Sequence, residues 1–188
     1  MNPLKASLFA MVLLVSGCTT VRQLRDPSSL AANGRAERTR DEHALDYSIA
    51  TRISAPPQVI WKILTDAPAY PKWNTTVVKL DGAITLGSDI KLVSTDAPDR
   101  TFGLKVTTLD APTRMVWEDG GSMFLGVRTF TLIPAEDGMT TFTMSETLSG
   151  GMLGMIEGSL PDFRKSFDVF AADLKKLAES KSASPREQ

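Results

Sequence analysis

The most constraining feature is a pattern of apolar–polar alternation that occurs seven times along the chain. Leu45-Asp-Tyr47-Ser-Ile49-Ala-Thr51-Arg-Ile53 has period two, the mark of a half-buried strand. Six further strand-like runs follow, at about Thr76–Leu80, Asp89–Ser94, Thr101–Leu109, Arg114–Asp119, Phe124–Ile133 and Thr140–Thr147. Their connectors are short and turn-forming: Asp81-Gly82, Asp110-Ala-Pro112, Asp119-Gly120-Gly121 and Glu136-Asp137-Gly138. Connectors this short join neighbouring strands antiparallel. Between the first two strands, Pro56-Pro57 opens a helix in which Val59, Ile60, Ile63 and Leu64 recur at helical spacing. A second short helix or turn carries Tyr70-Pro-Lys-Trp73-Asn74. At the far end Ile156, Leu160, Phe163, Phe167, Phe170, Leu174 and Leu177 step alternately by four and three. They draw one apolar stripe along a helix of roughly twenty residues, with Pro161 in its first turn or kinking it. Such a stripe must be buried against the sheet's concave face. The expected fold is therefore α+β: a curved seven-stranded antiparallel sheet wrapped around a long C-terminal helix, with two short helices after the first strand.

Ala55-Pro-Pro-Gln-Val-Ile-Trp61, Leu64-Thr-Asp66, Tyr70-Pro-Lys-Trp-Asn74, Phe130-Thr-Leu-Ile-Pro134 with Asp137-Gly138, and the Phe163–Leu177 helix occur in that order. Together they resemble the START-like, helix-grip proteins, also called the SRPBCC or polyketide cyclase/lipid-transport superfamily. The resemblance covers nearly all of a domain at 44–179. It implies a deep apolar cavity between sheet and helix that binds lipids, sterols, polyketides or other hydrophobic molecules; only some members are enzymes.

The N-terminus reads as an address. Lys5 precedes the apolar core Leu8–Val15, which is too short to span a hydrocarbon layer roughly 30 Å thick, so residues 1–17 read as a signal peptide. Leu14-Val-Ser-Gly-Cys18 resembles the lipobox of bacterial lipoproteins, which implies a lipidated Cys18 and a membrane anchor of two or three acyl chains. An ordinary secretory signal is the alternative. Thr19 after the cysteine implies, by the same resemblance, an outer-membrane anchor facing the periplasm where the cell has such a membrane. Residues 18–43 read as a flexible, Arg-dotted tether, and residues 180–188 as a frayed tail.

Charge excludes some functions. With 21 basic against 22 acidic residues, the chain has no field for nucleic acid. One Cys and one His, His43, leave no ligand set for a metal, and no cofactor motif is present. The expected partner is a hydrophobic small molecule or lipid, bound by a monomer.

Parity places Tyr47, Ile49, Ile90, Leu92, Phe102, Leu104, Val106, Met115, Trp117, Phe124, Phe130, Leu132, Phe142 and Met144 on the sheet's inner face. Leu160, Phe163, Phe167 and Phe170 face them from the helix. These are candidates for core and cavity alike. Tyr70, Trp73, Met152 and Met155 lie near the cavity mouth by resemblance, in a segment that is either a lid or an ordinary loop. Arg128 and Glu146 share the parity of Phe130 and Phe142, so they face either the cavity, as a polar pair for a ligand's head, or solvent. No Ser/His/Asp arrangement assembles, and no catalytic residue is assigned. Glu118 and Glu146 are candidate bases for a cyclase- or dehydratase-like alternative. A third possibility is an envelope interaction module with a vestigial cavity.

Overall fold

The computed structural model describes residues 26–183. The segment read as a signal peptide, Cys18 with the start of the tether, and the last residues, 184–188, lie outside them. The strands are β1 (Glu37–Arg40), β2 (Ala44–Ile53), β3 (Val77–Asp81), β4 (Asp89–Ser94), β5 (Ala97–Asp110), β6 (Arg114–Gly120), β7 (Leu125–Pro134) and β8 (Thr140–Ser149). All pair antiparallel in one sheet of order β1-β2-β8-β7-β6-β5-β4-β3. The helices are α1 (Pro57–Leu64), α2 (Tyr70–Trp73), α3 (Leu153–Ile156) and α4 (Arg164–Ala183).

The sheet has eight strands where the alternation indicates seven. The added strand, β1, is Glu-Arg-Thr-Arg, taken from the segment read as tether. An edge strand with both faces wet needs only backbone pairing, so its sequence carries no apolar alternation. Side chains reinforce it: Arg38 and Arg40 donate to the two carboxylate oxygens of Glu157 at 2.7 and 2.8 Å, and Arg38 Nε also donates to Tyr47 Oη. Asp168 on α4 accepts from the Ala36 amide at 2.6 Å. The tether's second half is thus part of the domain. The tail shortens likewise, because α4 runs through Ala183.

The C-terminal apolar stripe also divides. Ile156 and Leu160 belong to α3 and a following 3-10 turn, and α4 begins only at Arg164, after Pro161 has broken the helical path. Gly150 opens this connection with φ +114°; a Cβ there would lie 2.5 Å from the Met123 carbonyl oxygen, so only glycine lets β8 leave past the β6–β7 turn.

Helix α4 lies against β2 and α1. Phe167, Phe170, Ala171, Leu174 and Ala178 are its buried face. Phe170 is the junction of an aromatic cluster: its ring centroid is 5.6 Å from Trp73, 6.0 Å from Phe130, and 6.3 Å from both Tyr70 and Phe142. Tyr70 is fully buried and donates its hydroxyl to the Leu64 carbonyl at 2.8 Å, fixing α2 to the end of α1. Thr140 is equally buried and donates to the Ala55 carbonyl at 2.7 Å, joining β8 to the start of α1.

Phe170→Ala should lower unfolding free energy by about 3–5 kcal/mol, the usual cost of emptying an aromatic site in a packed core. Urea denaturation measures this, and a loss below about 1 kcal/mol would contradict the packing described. The Glu157 clasp has a pH signature. Its hydrogen bond from Arg40, with Arg38 beside it, holds the Glu157 carboxyl below its ordinary value. The clasp is therefore intact above the ordinary glutamate range and is lost as pH falls through the depressed folded-state value. Hydrogen exchange at the β1 amides should remain protected until then, and Glu157→Gln should remove that pH-dependent step.

Candidate ligand cavity

A twisted sheet curls away from a straight helix. The aromatic junction presses α4 to one half of the sheet, and over the other half a cavity of about 440 Å³ remains. Its floor comes from β4 to β8, and its roof from Ile156, Ser159, Leu160, Pro161, Phe163, Ser166, Phe167 and Phe170. Thr76 and Val77 close one side.

Cross-strand rows explain which residues reach it. Tyr47–Glu146–Arg128–Trp117 form one row across β2, β8, β7 and β6, and Leu45–Leu148–Gly126–Asp119 form the next. From these rows Trp117, Arg128, Glu146, Asp119, Gly126 and Leu148 line the cavity. On the other side, Ile49–Met144–Phe130–Met115 form a row of which only Met144 touches the space.

The parity list divides accordingly. Leu92, Phe102, Leu104, Trp117, Phe124, Met144, Leu160, Phe163, Phe167 and Phe170 line the cavity, as do Arg128 and Glu146. Ile49, Ile90, Val106, Met115, Phe130, Leu132 and Phe142 are buried in the solid core instead. Tyr47 is buried too, its ring edge-on to Phe163 at 5.3 Å. Tyr70 and Trp73 are not at the mouth: their rings meet at a tilt, with centroids 4.9 Å apart, and pack into the Phe170 cluster. Met152 and Met155 do not line the cavity, and Met155 is 75% exposed. The roof comes from the residues just after them. His43 is exposed in the β1–β2 turn. Glu118 points to the opposite face from Trp117 and Asp119 and accepts from Thr107 Oγ1 at 2.9 Å.

The charged residues of the lining are ordered by their strands. Arg128 and Glu146 are direct cross-strand partners, and Arg128 Nε donates to Glu146 Oε2. Their side chains are only 22% and 12% exposed. The Arg128 guanidinium also lies 5.6 Å from the Phe167 ring centroid, which helps hold a half-buried cation. Asp119 faces Gly126 across β6 and β7. A Cβ at position 126 would lie 2.2 Å from Asp119 Oδ1 and 3.4 Å from Glu146 Oε1, so glycine is what lets the two carboxyl groups lean over one spot. Burial raises the pKa of the Asp119 carboxyl, and Glu146 adds to the rise; Arg128 and Arg100 oppose it. Sequence reasoning missed Asp119 although it stands two residues past Trp117 on the same face. Its place beside Gly120-Gly121 reads as a turn residue. Among the described residues no group of three or more His, Cys, Asp or Glu is placed to hold a metal ion.

A curved antiparallel sheet gripping a C-terminal helix around an internal cavity defines a helix-grip domain of the START-like, SRPBCC kind. The chain belongs to the polyketide cyclase/dehydrase and lipid transport family, whose sequence model matches residues 44–179. The fold is shared with a START superfamily protein from Mycobacterium smegmatis (TM-score 0.54, 17% identity, 74% of this chain and 99% of that one). It is shared with a conserved protein of unknown function from Enterococcus faecalis (0.57, 16%, 81% and 82%). Norcoclaurine synthase from Thalictrum flavum, solved with dopamine and hydroxybenzaldehyde, is also similar (0.58, 12%, 75% and 90%). No curated protein matches the sequence.

Asp119 should titrate above the ordinary aspartate value near 3.9. Carboxyl-selective NMR should show that value falling in Glu146→Gln, which removes a like charge, and rising in Arg128→Met, which removes a favourable one. Because the folded state holds this proton more tightly than the unfolded chain, stability falls as pH rises from the ordinary value through the raised one. Asp119→Asn should flatten that part of the stability curve.

Proposed function

We propose that this protein binds a lipid or other hydrophobic small molecule in the cavity beneath α4, while lipidated Cys18 holds it at a membrane. The observation that carries the reading is the cavity: most of its lining is apolar, with Leu and Phe the commonest residues, and Asp119, Arg128 and Glu146 stand together on β6 to β8. Sites that take drug-sized apolar molecules have this makeup, a hydrophobic lining with a few placed polar groups. The lipobox-like Leu14–Cys18 run supports the anchor, and Thr19 supports an outer membrane facing the periplasm as its destination. A monomer with one ligand, held within reach of the bilayer, suits storing or transferring a molecule of low solubility.

A cyclase- or dehydratase-like enzyme in the same cavity is favoured by one observation, the raised Asp119 carboxyl. A carboxyl whose burial favours its protonated form, beside a hydrophobic substrate, is suited to general acid chemistry. Turnover abolished by Asp119→Asn with binding retained would establish it.

Nile red fluorescence tests the binding reading. It should titrate to one equivalent on the intact protein, and Leu104→Trp, which fills the cavity, should weaken binding at least tenfold while circular dichroism is unchanged. Binding unaffected by Leu104→Trp would place the site elsewhere. For the anchor, growth with labelled palmitate should label the wild-type protein and leave Cys18→Ala unlabelled and free of the membrane fraction. Equal labelling of both would remove Cys18 from the account.

A further inference from the structure

The lining holds three acids, Asp96, Asp119 and Glu146, against two bases, Arg100 and Arg128. Four of these five are engaged. Ser166 Oγ donates to Asp96, Arg128 Nε donates to Glu146, and the exposed Arg100 guanidinium lies 4.5 Å from the Phe102 ring centroid. Asp119 is different. Among the described residues its carboxyl is in no ion pair and is met by its own backbone N–H.

We propose that Asp119 is the head-group site of the cavity and takes a protonated amine, so that the ligand is an amine-bearing amphiphile and not a fatty acid. This rests on reading the cavity as a hydrophobic-ligand site. The chemistry follows from charge. Of the two guanidiniums that act on Asp119, Arg128 is already bonded to Glu146 and Arg100 is exposed over the Phe102 ring, so Asp119 has no ion-pair partner of its own. A half-buried carboxylate without a direct ion-pair partner is costly, and it is relieved either by a proton or by a cation. The raised Asp119 pKa is the first of these. An ammonium group supplies the second and donates charge-assisted hydrogen bonds, which are among the strongest a carboxylate makes. A carboxylate head group would do the reverse, bringing a third negative charge to the spot where Asp119 and Glu146 already converge over Gly126. The apolar tail of an amphiphile held at Asp119 would lie along Leu104, Trp117 and Phe167, which line the same cavity.

Isothermal titration at neutral pH with dodecylammonium and dodecanoate below their micelle concentrations, and dodecanol below its solubility limit, tests this directly. Wild-type protein should bind dodecylammonium at least tenfold more tightly than dodecanoate, with dodecanol between them. Asp119→Asn should weaken dodecylammonium about tenfold, change dodecanol less than threefold, and erase the preference. Asp119→Ser, measured in parallel and checked by circular dichroism, guards against a folding defect in one variant. Dodecanoate bound as tightly as dodecylammonium, or a preference unchanged in both variants, would overturn the amine site alone. Failure of all three probes to bind would overturn the hydrophobic-ligand reading as well.

Discussion

The rings that meet at Phe170 decide where α4 lies, and most else follows from that. Tyr70 and Trp73 approach from α2, Phe130 and Phe142 from the central strands, and together they clamp the middle of the helix to one half of the sheet. An eight-stranded sheet with natural twist turns its far strands away from any straight helix. Once α4 is fixed at Phe170, the sheet's β4–β6 side has no partner layer within reach. Phe163 and Phe167 bridge the gap at the top by packing on Tyr47. What they roof over stays open. The cavity is thus a consequence of where the aromatic contacts end.

Its chemistry follows from strand register. A shift of one residue in the β7–β8 pairing would send Arg128 and Glu146 to opposite faces, because side chains alternate across a sheet. In the observed register they are opposite each other and both point inward. The same register sets Gly126 against Asp119, so the single missing side chain in that row makes room for a carboxyl group. One wall of the cavity is therefore apolar and adaptable, and the other carries a paired arginine with a second acid left over. The Arg38 and Arg40 clasp on Glu157 lies close by, since the residues just after Glu157 form part of the roof. The segment that leads into the domain from the N-terminus is thereby bound to the roof of the cavity.

Much of this was legible in the sequence because it is written in periodicities. Period-two alternation located β2 to β8 to within a few residues, and the steps of four and three located the face of α4. The failures have physical causes. Strand β1 has no apolar pattern because it is an edge strand held by backbone pairing and arginines. Ile156 and Leu160 continue the helical spacing by coincidence, and Pro161 prevents them from joining α4. Parity set Arg128 and Glu146 on the face of Phe130 and Phe142 but left open whether they meet cavity or solvent, and both line the cavity. It could not tell core from cavity, because Phe130 and Phe102 have the same inward sign and differ only in whether α4 reaches them. Tyr70 and Trp73 looked like mouth residues and proved to be the clamp itself. Asp119 was hidden by its neighbouring glycines, although its spacing from Trp117 marked its face.

The central claim is that the space beneath α4 is a binding site and not a packing defect. Native mass spectrometry of the protein, extracted gently from the cells that make it, measures this most directly. The account predicts a population heavier than the covalent mass of the processed chain by one small hydrophobic molecule, which dissociates on activation and is recovered in organic solvent at about one equivalent. A single species at the covalent mass of the processed chain alone, unchanged after incubation with membrane lipid extract, would contradict it.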